Sequence, residues 1–170
     1  IEASYRFDKR KIDDSYPLLQ DVMDAGEQDM KDIRGFYPLW EKLLEGEGAH
    51  GRPASLLVEV VYFTKGLTGV GNLAHKWGGI QPYGYLFWLD KLRQEKQWDD
   101  IVKVAKDALV TLKAGQAREK ISDFLSEAGQ MTGNPAIVLE SSLEKLYSHP
   151  CDANLKTMLI EAVKQDQREE

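Results

Sequence analysis

The sequence has a single cysteine, no long apolar run and no excess of positive over negative charge. Cys151 is the only cysteine among 170 residues, which excludes an internal disulfide framework and a cysteine-based metal site. We therefore expect a reducing, cytoplasmic setting. The longest apolar run, Leu56–Phe63, is interrupted by Glu59 and is far shorter than the roughly 20 residues that cross a bilayer. We expect no membrane segment and, without a basic stretch followed by an apolar one at the start, no signal peptide.

The net charge is −6, from 22 basic and 28 acidic residues. A chain of this kind lacks the excess of lysine and arginine that neutralises nucleic-acid phosphates, so we expect no direct nucleic-acid binding. The short basic stretch Asp8–Lys11 (DKRK) is interpreted as a solvated charge cluster. The chain starts with Ile1, and we expect it to be a fragment of a longer polypeptide.

The apolar residues that are present recur at spacings of three and four, the signature of amphipathic helices. The second half of the sequence predicts five of them, the fourth opened by Asn134–Pro135, a favoured helix start. They cover Gly84–Lys96, Gln97–Lys113, Ala117–Gly133, Asn134–Ser148 and Asp152–Lys164, with apolar faces such as Ile101, Ala105, Ala108 and Leu109, or Leu155, Met158, Leu159, Ala162 and Val163.

The first half gives weaker signals of the same kind. Ser15 caps a predicted helix that closes near Gly26, Leu39 and Trp40 belong to a second helix, and Pro53 opens a third. In the third helix we expect Glu59 to face solvent. Because every segment is helical and no strands are available to pair, the sequence predicts an all-α fold.

The stretch Lys65–Tyr85 (KGLTGVGNLAHKWGGIQPYGY) is rich in glycine. It lacks both the dinucleotide fingerprint and the Gly-Lys-Ser/Thr of a P-loop. We interpret it as a joint: Gly66 ends a helix, a short turn contains Leu73–Trp77, and the chain bends again near Pro82–Gly84. The alternative is a small-ligand pocket in this stretch, lined by His75, Trp77 and Tyr83.

Other chemistry-bearing residues do not form a recognisable site. His149 and Cys151 are two residues apart, but a zinc site needs three or four ligands at recognisable spacing. Acidic pairs such as Asp99–Asp100 fall where helix starts favour carboxylates. We therefore expect no catalytic residue, no metal and no cofactor.

A weak internal repeat is present. A shift of 37 residues aligns Phe87 with Phe124, and it also aligns Ile101 with Val138. Each unit is then a helix, a short turn and a second helix, and a third unit is truncated. This period is typical of helical-hairpin repeats, in which one unit cannot bury its own apolar face.

The segment LDKLRQEKQWDDIVKVAKDALVTL (Leu89–Leu112) resembles a tetratricopeptide hairpin, with Trp98 just before the second helix. SEAGQMTGNPAIVLESSLEKLYSHP (Ser126–Pro150) resembles the same pattern and closes with a proline. The sequence departs from the family pattern where Leu89 replaces a small residue, and where Ser142 and Lys145 replace apolar ones. The resemblance implies stacked antiparallel helical hairpins, an α-solenoid that presents a surface to a protein or peptide.

A second resemblance rests on Trp98–Asp100 (WDD), the alanine-containing helix that follows it and the glycine turns. These features are similar to helical regions found C-terminal to SWIM-type zinc fingers of prokaryotic proteins. This resemblance implies an accessory helical domain of a nucleic-acid-associated protein, although the sequence carries no zinc-ligand cluster.

The resulting prediction is a non-catalytic protein-interaction or scaffolding module without a membrane partner. Its expected layout is an irregular helical part (1–66) packed on the repeats, a glycine-rich joint (67–84), hairpins (85–165) and a polar tail (166–170). The expected partner-binding residues are basic: Arg93, Lys96, Arg118 and Lys120. Two alternatives remain open, the zinc-finger accessory domain and a small-ligand binder or enzyme that uses the joint.

Overall fold

A computed structural model of the chain describes residues 33–47 and 50–169. Within these ranges all regular structure is helical and no strand occurs, so the all-α prediction is confirmed. The helices are α1 (Ile33–Glu47), α2 (Gly51–Trp77), α3 (Tyr83–Gln94), α4 (Trp98–Thr111), α5 (Gln116–Met131), α6 (Pro135–Ser148) and α7 (Asp152–Glu169), with a 3-10 turn at Gly78–Ile80. The basic stretch Asp8–Lys11 and the helix expected from Ser15 to Gly26 lie outside the described residues.

The chain divides into two compact units, residues 1–69 and 70–170, and helix α2 begins in the first and ends in the second. Gly66 interrupts α2 with φ 63° and ψ −161°, a conformation open to glycine alone. The break predicted there is confirmed. The turn predicted at Leu73–Trp77 is wrong, because this segment is helical and buries Leu73, Ala74 and Trp77 at helical spacing.

In the first unit, α1 is organised by aromatic packing. The ring of Tyr37 stacks on that of Phe63 with 6.0 Å between the centroids, and Trp40 and Leu44 are buried on the same side of the helix. Leu39, which the sequence assigns to the same helix as Trp40, is exposed. The buried side is therefore set by the spacing of Tyr37, Trp40 and Leu44, and Leu39 lies off it.

Glu59 of α2 is buried, with only 4% of its surface exposed, so the expectation that it faces solvent is wrong. Its neighbours explain this position, since every residue from Leu56 to Val61 is buried. A helix that is covered on all sides offers no solvent-facing position for the carboxylate.

In the second unit, each helix from α3 to α7 packs on the next, and α3 also contacts α5. The core consists of residues that the amphipathic spacing predicts, among them Tyr85 and Leu89 of α3, Ile101, Ala105 and Ala108 of α4, and Ile121, Leu125 and Ala128 of α5. Because alanine side chains are small, they allow the backbones of neighbouring helices to approach closely.

The ends of the last two helices follow local rules. The side chain of Asn134 accepts a hydrogen bond from the backbone N–H of Ile137, and α6 stops at Ser148 before His149 and Pro150, as predicted. Helix α7 continues to Glu169, past the end that the sequence predicts at Lys164, so the described part of the polar tail is helical. No glycine or proline follows Asp152, and the Lys, Gln and Glu residues of this segment favour helix.

Candidate interaction surface

The three residues predicted to line a pocket in the glycine-rich stretch make separate contacts. The Nε2 atom of His75 lies 2.8 Å from the Oδ2 atom of Asp107. Trp77 is buried and lies next to Gly84. The ring of Tyr83 lies 6.2 Å from that of Phe87, measured between centroids. The contacts of His75 and Trp77 lie between helices, whereas the contact of Tyr83 lies within α3.

Asp107 binds two polar side chains from other helices, His75 of α2 and Tyr85 of α3. Its Oδ2 atom also accepts a hydrogen bond from the hydroxyl of Tyr85 at 2.9 Å. Burial, and secondarily this hydrogen bond, raise the pKa of Tyr85 to about 12. The His75 ring lies edge-on between the rings of Tyr85 and Trp88 at 5.8 and 5.7 Å. Because Asp107 belongs to α4, it ties the end of α2 and the start of α3 to α4.

Two glycines of the same stretch permit close helix packing. A Cβ atom added at Gly71 would lie 2.7 Å from the Trp88 ring, and one added at Gly84 would lie 3.0 Å from the Cα of Ala74. Both distances are shorter than ordinary contacts of this kind. The glycines therefore mark where α2 and α3 touch, and they do not cradle a phosphate.

Arg118, predicted to bind a partner, is enclosed within the second unit. Its side chain is 11% exposed, and its Nη1 atom donates hydrogen bonds to the carbonyls of Leu109 and Leu112, the latter at 2.7 Å. Its Nε and Nη2 atoms bind the carboxylate of Glu144, and its guanidinium lies over the ring of Tyr147. Arg118 thus joins the end of α4 to α5 and α6, and in this structure it is not open to a partner.

The other three basic residues reach solvent. Arg93 is 44% exposed and bridges to Asp90 and, at 3.8 Å, to Glu127. Lys96 is exposed in the turn between α3 and α4, where it has a φ of 57°. Lys120 is exposed on α5. These three cations are accessible, but Arg93 is engaged within the unit.

Helix α7 carries a group of exposed aliphatic side chains that the sequence does not predict. Large aliphatic side chains on this helix are 43% to 55% exposed: Leu155, Leu159, Ile160 and Val163. On the other side of α7, which packs on α6, Met158 and Ala162 are half-buried. The sequence assigns Leu155, Leu159 and Val163 to the apolar face of this helix, and the structure leaves these three side chains exposed.

These residues line a shallow groove, which we call the α7 groove: Asp152, Leu155, Lys156, Leu159, Ile160, Val163 and Lys164. Its volume of about 510 Å³ is in the range of small-molecule pockets, but such pockets enclose most of their ligand. The described residues that line the α7 groove all come from one helix. It therefore suits a helix laid along it better than a small molecule.

The last features to compare with the sequence are metal ligands and membrane-spanning helices. Among them no three histidine, cysteine, aspartate or glutamate side chains are grouped closely enough to hold a metal ion. His149 and Cys151 lie in the short connection between α6 and α7. In the same part of the chain, none of the helices combines the length and apolar character that crossing a bilayer requires.

Comparison of the chain with protein-family models, with curated proteins and with solved structures finds no match.

Proposed function

We propose that the chain is a non-catalytic protein-interaction module, and that it binds a helix of another polypeptide along the α7 groove. The observation that carries this proposal is that α7 turns its largest aliphatic side chains outward, with Leu159 and Val163 more than half exposed. Contiguous apolar surface rimmed by charged residues is typical of protein-binding sites.

The free energy available from covering this surface is substantial. Full burial of a leucine, isoleucine or valine side chain contributes about 1.5–3 kcal/mol. The four aliphatic residues of the α7 groove are about half exposed, so their cover by a partner contributes roughly 3–6 kcal/mol in total. The entropy of association costs about 4–15 kcal/mol, which is as large as this gain or larger. The partner must therefore bury apolar surface of its own, and a weak, reversible complex is the expected outcome.

The order of the helices supports a hairpin array of the tetratricopeptide kind. Helices α3 and α4 form one hairpin, α5 and α6 the next, and α7 stands as the first helix of a third. Ion pairs join equivalent helices, Arg93 to Glu127 between α3 and α5 at 3.8 Å, and Lys106 to Glu140 between α4 and α6 at 2.7 Å. The terminal unit of such an array exposes apolar surface unless it is capped.

The binding surface that we propose from the structure differs from the one that the sequence predicts. The sequence predicts that the partner binds the basic residues Arg93, Lys96, Arg118 and Lys120. The enclosure of Arg118 weakens that choice, whereas the α7 groove offers apolar area together with exposed charge. We therefore assign the interaction to the end of the stack.

Site-specific photo-crosslinking tests the proposal. A photoreactive phenylalanine analogue is placed at Ile160 in the α7 groove, and in a control variant at Val110, which is 88% exposed on α4. The cells that produce the protein are irradiated and the adducts are analysed by mass spectrometry. We expect a discrete adduct from position 160, joined to an amphipathic helical segment, and none from position 110.

Two results would contradict the proposal. Position 160 could give no adduct, or it could give the same diffuse adducts as position 110. Either result would mean that the α7 groove is an exposed surface without a specific partner.

A further inference from the structure

Four residues form a line along the exposed side of α7. Lys156, Leu159, Val163 and Asp166 follow one another at spacings of three, four and three, so they lie on one side of a helix. All four are exposed. The line, which we call the α7 seam, begins with a positive charge, continues with two aliphatic side chains and ends with a negative charge.

This order of charges makes the seam complementary to itself when one copy is reversed. If two α7 helices lie antiparallel with Leu159 opposite Val163, each Lys156 lies opposite the Asp166 of the other copy. A parallel pair would instead place lysine near lysine and aspartate near aspartate, which is unfavourable. Two copies related by a two-fold axis therefore place opposite charges next to each other at both ends of the seam.

The remaining charges of α7 up to position 166 do not oppose this pairing. Lys164 binds Glu161 of the same helix at 2.7 Å, and both lie off the seam. Asp152 precedes Lys156 by four residues and falls outside the paired segment 156–166. Leu155 and Ile160 flank the seam on its two sides, so they extend the apolar contact.

We propose that the occupant of the α7 groove is the α7 helix of a second copy of this chain, docked antiparallel about a two-fold axis. The inference rests on the proposed function, since it takes the groove to be an interaction surface and names its partner. Because each copy contributes one helix with few aliphatic residues, the dimer is small and reversible.

Sedimentation equilibrium of the 170-residue chain tests the inference. We expect the mass to rise from 19.3 kDa towards twice that value over roughly 1 μM to 1 mM, the range of weak association. The variants K156E and D166K each place like charges at both ends of the seam, so each should associate at least about tenfold more weakly, or about 1.4 kcal/mol. T157E, at an exposed position off the seam, is the matched control and should behave as wild type.

Mixing the two weakened variants gives the decisive result. In a heterodimer of K156E with D166K, the glutamate introduced in one copy meets the lysine introduced in the other. At the opposite end of the seam, the native Lys156 of the second copy meets the native Asp166 of the first, so opposite charges are restored at both ends. We expect the mixture to associate about as tightly as wild type. Rescue of this kind also shows that both variants are folded.

The outcomes separate the two proposals. If the chain stays monomeric over the whole range while the crosslinker at Ile160 captures a different polypeptide, the self-association is wrong and the interaction function stands. If the chain dimerises but the mixture of variants shows no rescue, the antiparallel seam is wrong. If the chain stays monomeric and position 160 gives no adduct, both proposals fail.

Discussion

Replacement of Gly84 by alanine tests whether this glycine allows close packing of α3 on α2. The added Cβ would lie 3.0 Å from the Cα of Ala74, 3.1 Å from the Cε3 atom of Trp77 and 3.2 Å from the Cβ of Ala74. The nearest atom belongs to the backbone and cannot rotate away, so α2 and α3 must separate slightly. Overpacking of this kind costs about 1–3 kcal/mol.

The helix propensity of alanine opposes this cost by up to about 1 kcal/mol. Subtracting about 1 kcal/mol of propensity from the overpacking cost leaves a net loss of up to about 2 kcal/mol in the free energy of unfolding for Gly84→Ala. Gly46 in α1 is the control, because among the described residues no atom outside its own stretch of helix lies within 4 Å of its added Cβ. Gly46→Ala should therefore stabilise, since only the propensity gain remains.

The assay is urea denaturation followed by circular dichroism, with the free energy of unfolding extrapolated to water. Opposite signs for the two glycine variants are expected. If Gly84→Ala stabilised the protein as Gly46→Ala does, the close contact between Gly84 and Ala74 would be refuted. The stretch would then be a flexible joint, as the sequence alone suggests.

Two further predictions concern polar contacts of the second unit. Arg118→Met should lower the free energy of unfolding by about 2–3 kcal/mol, because it leaves two helix-end carbonyls and Glu144 without their donor; a change below about 0.5 kcal/mol in urea denaturation would show that the guanidinium is dispensable. Tyr85 has a folded-state pKa of about 12, above its ordinary value of 10.0, so it contributes stability that is complete below pH 10 and is lost as the pH rises towards 12. This loss amounts to at most about 1.4 kcal/mol per pH unit. Tyr85→Phe should flatten the decline between pH 10 and 12, and an unchanged slope would contradict the assignment.

The spacing of apolar residues is enough to predict most helices of the second unit, because that spacing is local. The sequence shift of 37 residues predicts the spacing of some helix starts and not of others. Helices α4 and α6 begin 37 residues apart, at Trp98 and Pro135, which equals the shift found in the sequence. Helices α3 and α5 begin only 33 residues apart, at Tyr83 and Gln116, because α5 has 16 residues and α3 has 12.

The candidate site depends on contacts that local patterns do not contain. Gly71 and Gly84 suggest flexibility in the sequence, but their role is set by Trp88 and Ala74 on the facing helix. Arg118 has the sequence context of a solvated residue, but its partners lie at the end of α4 and on α6.

Helix α7 illustrates the same limit at the surface. Its spacing shows that Leu155, Leu159 and Val163 share a side of the helix. It does not show whether a neighbouring helix covers that side, because cover is decided by the packing of α7 on α6. The exposed groove could therefore be recognised only in the folded chain.

The most direct test of the account is whether the α7 groove is covered in the cell. Hydroxyl-radical footprinting compares the oxidation of Leu159 and Ile160 in producing cells with their oxidation in the purified, dilute chain, and Val110 serves as the exposed reference. The account predicts strong protection of Leu159 and Ile160 in cells, with Val110 oxidised equally in both samples. Equal oxidation of Leu159 and Ile160 in the two samples would contradict it.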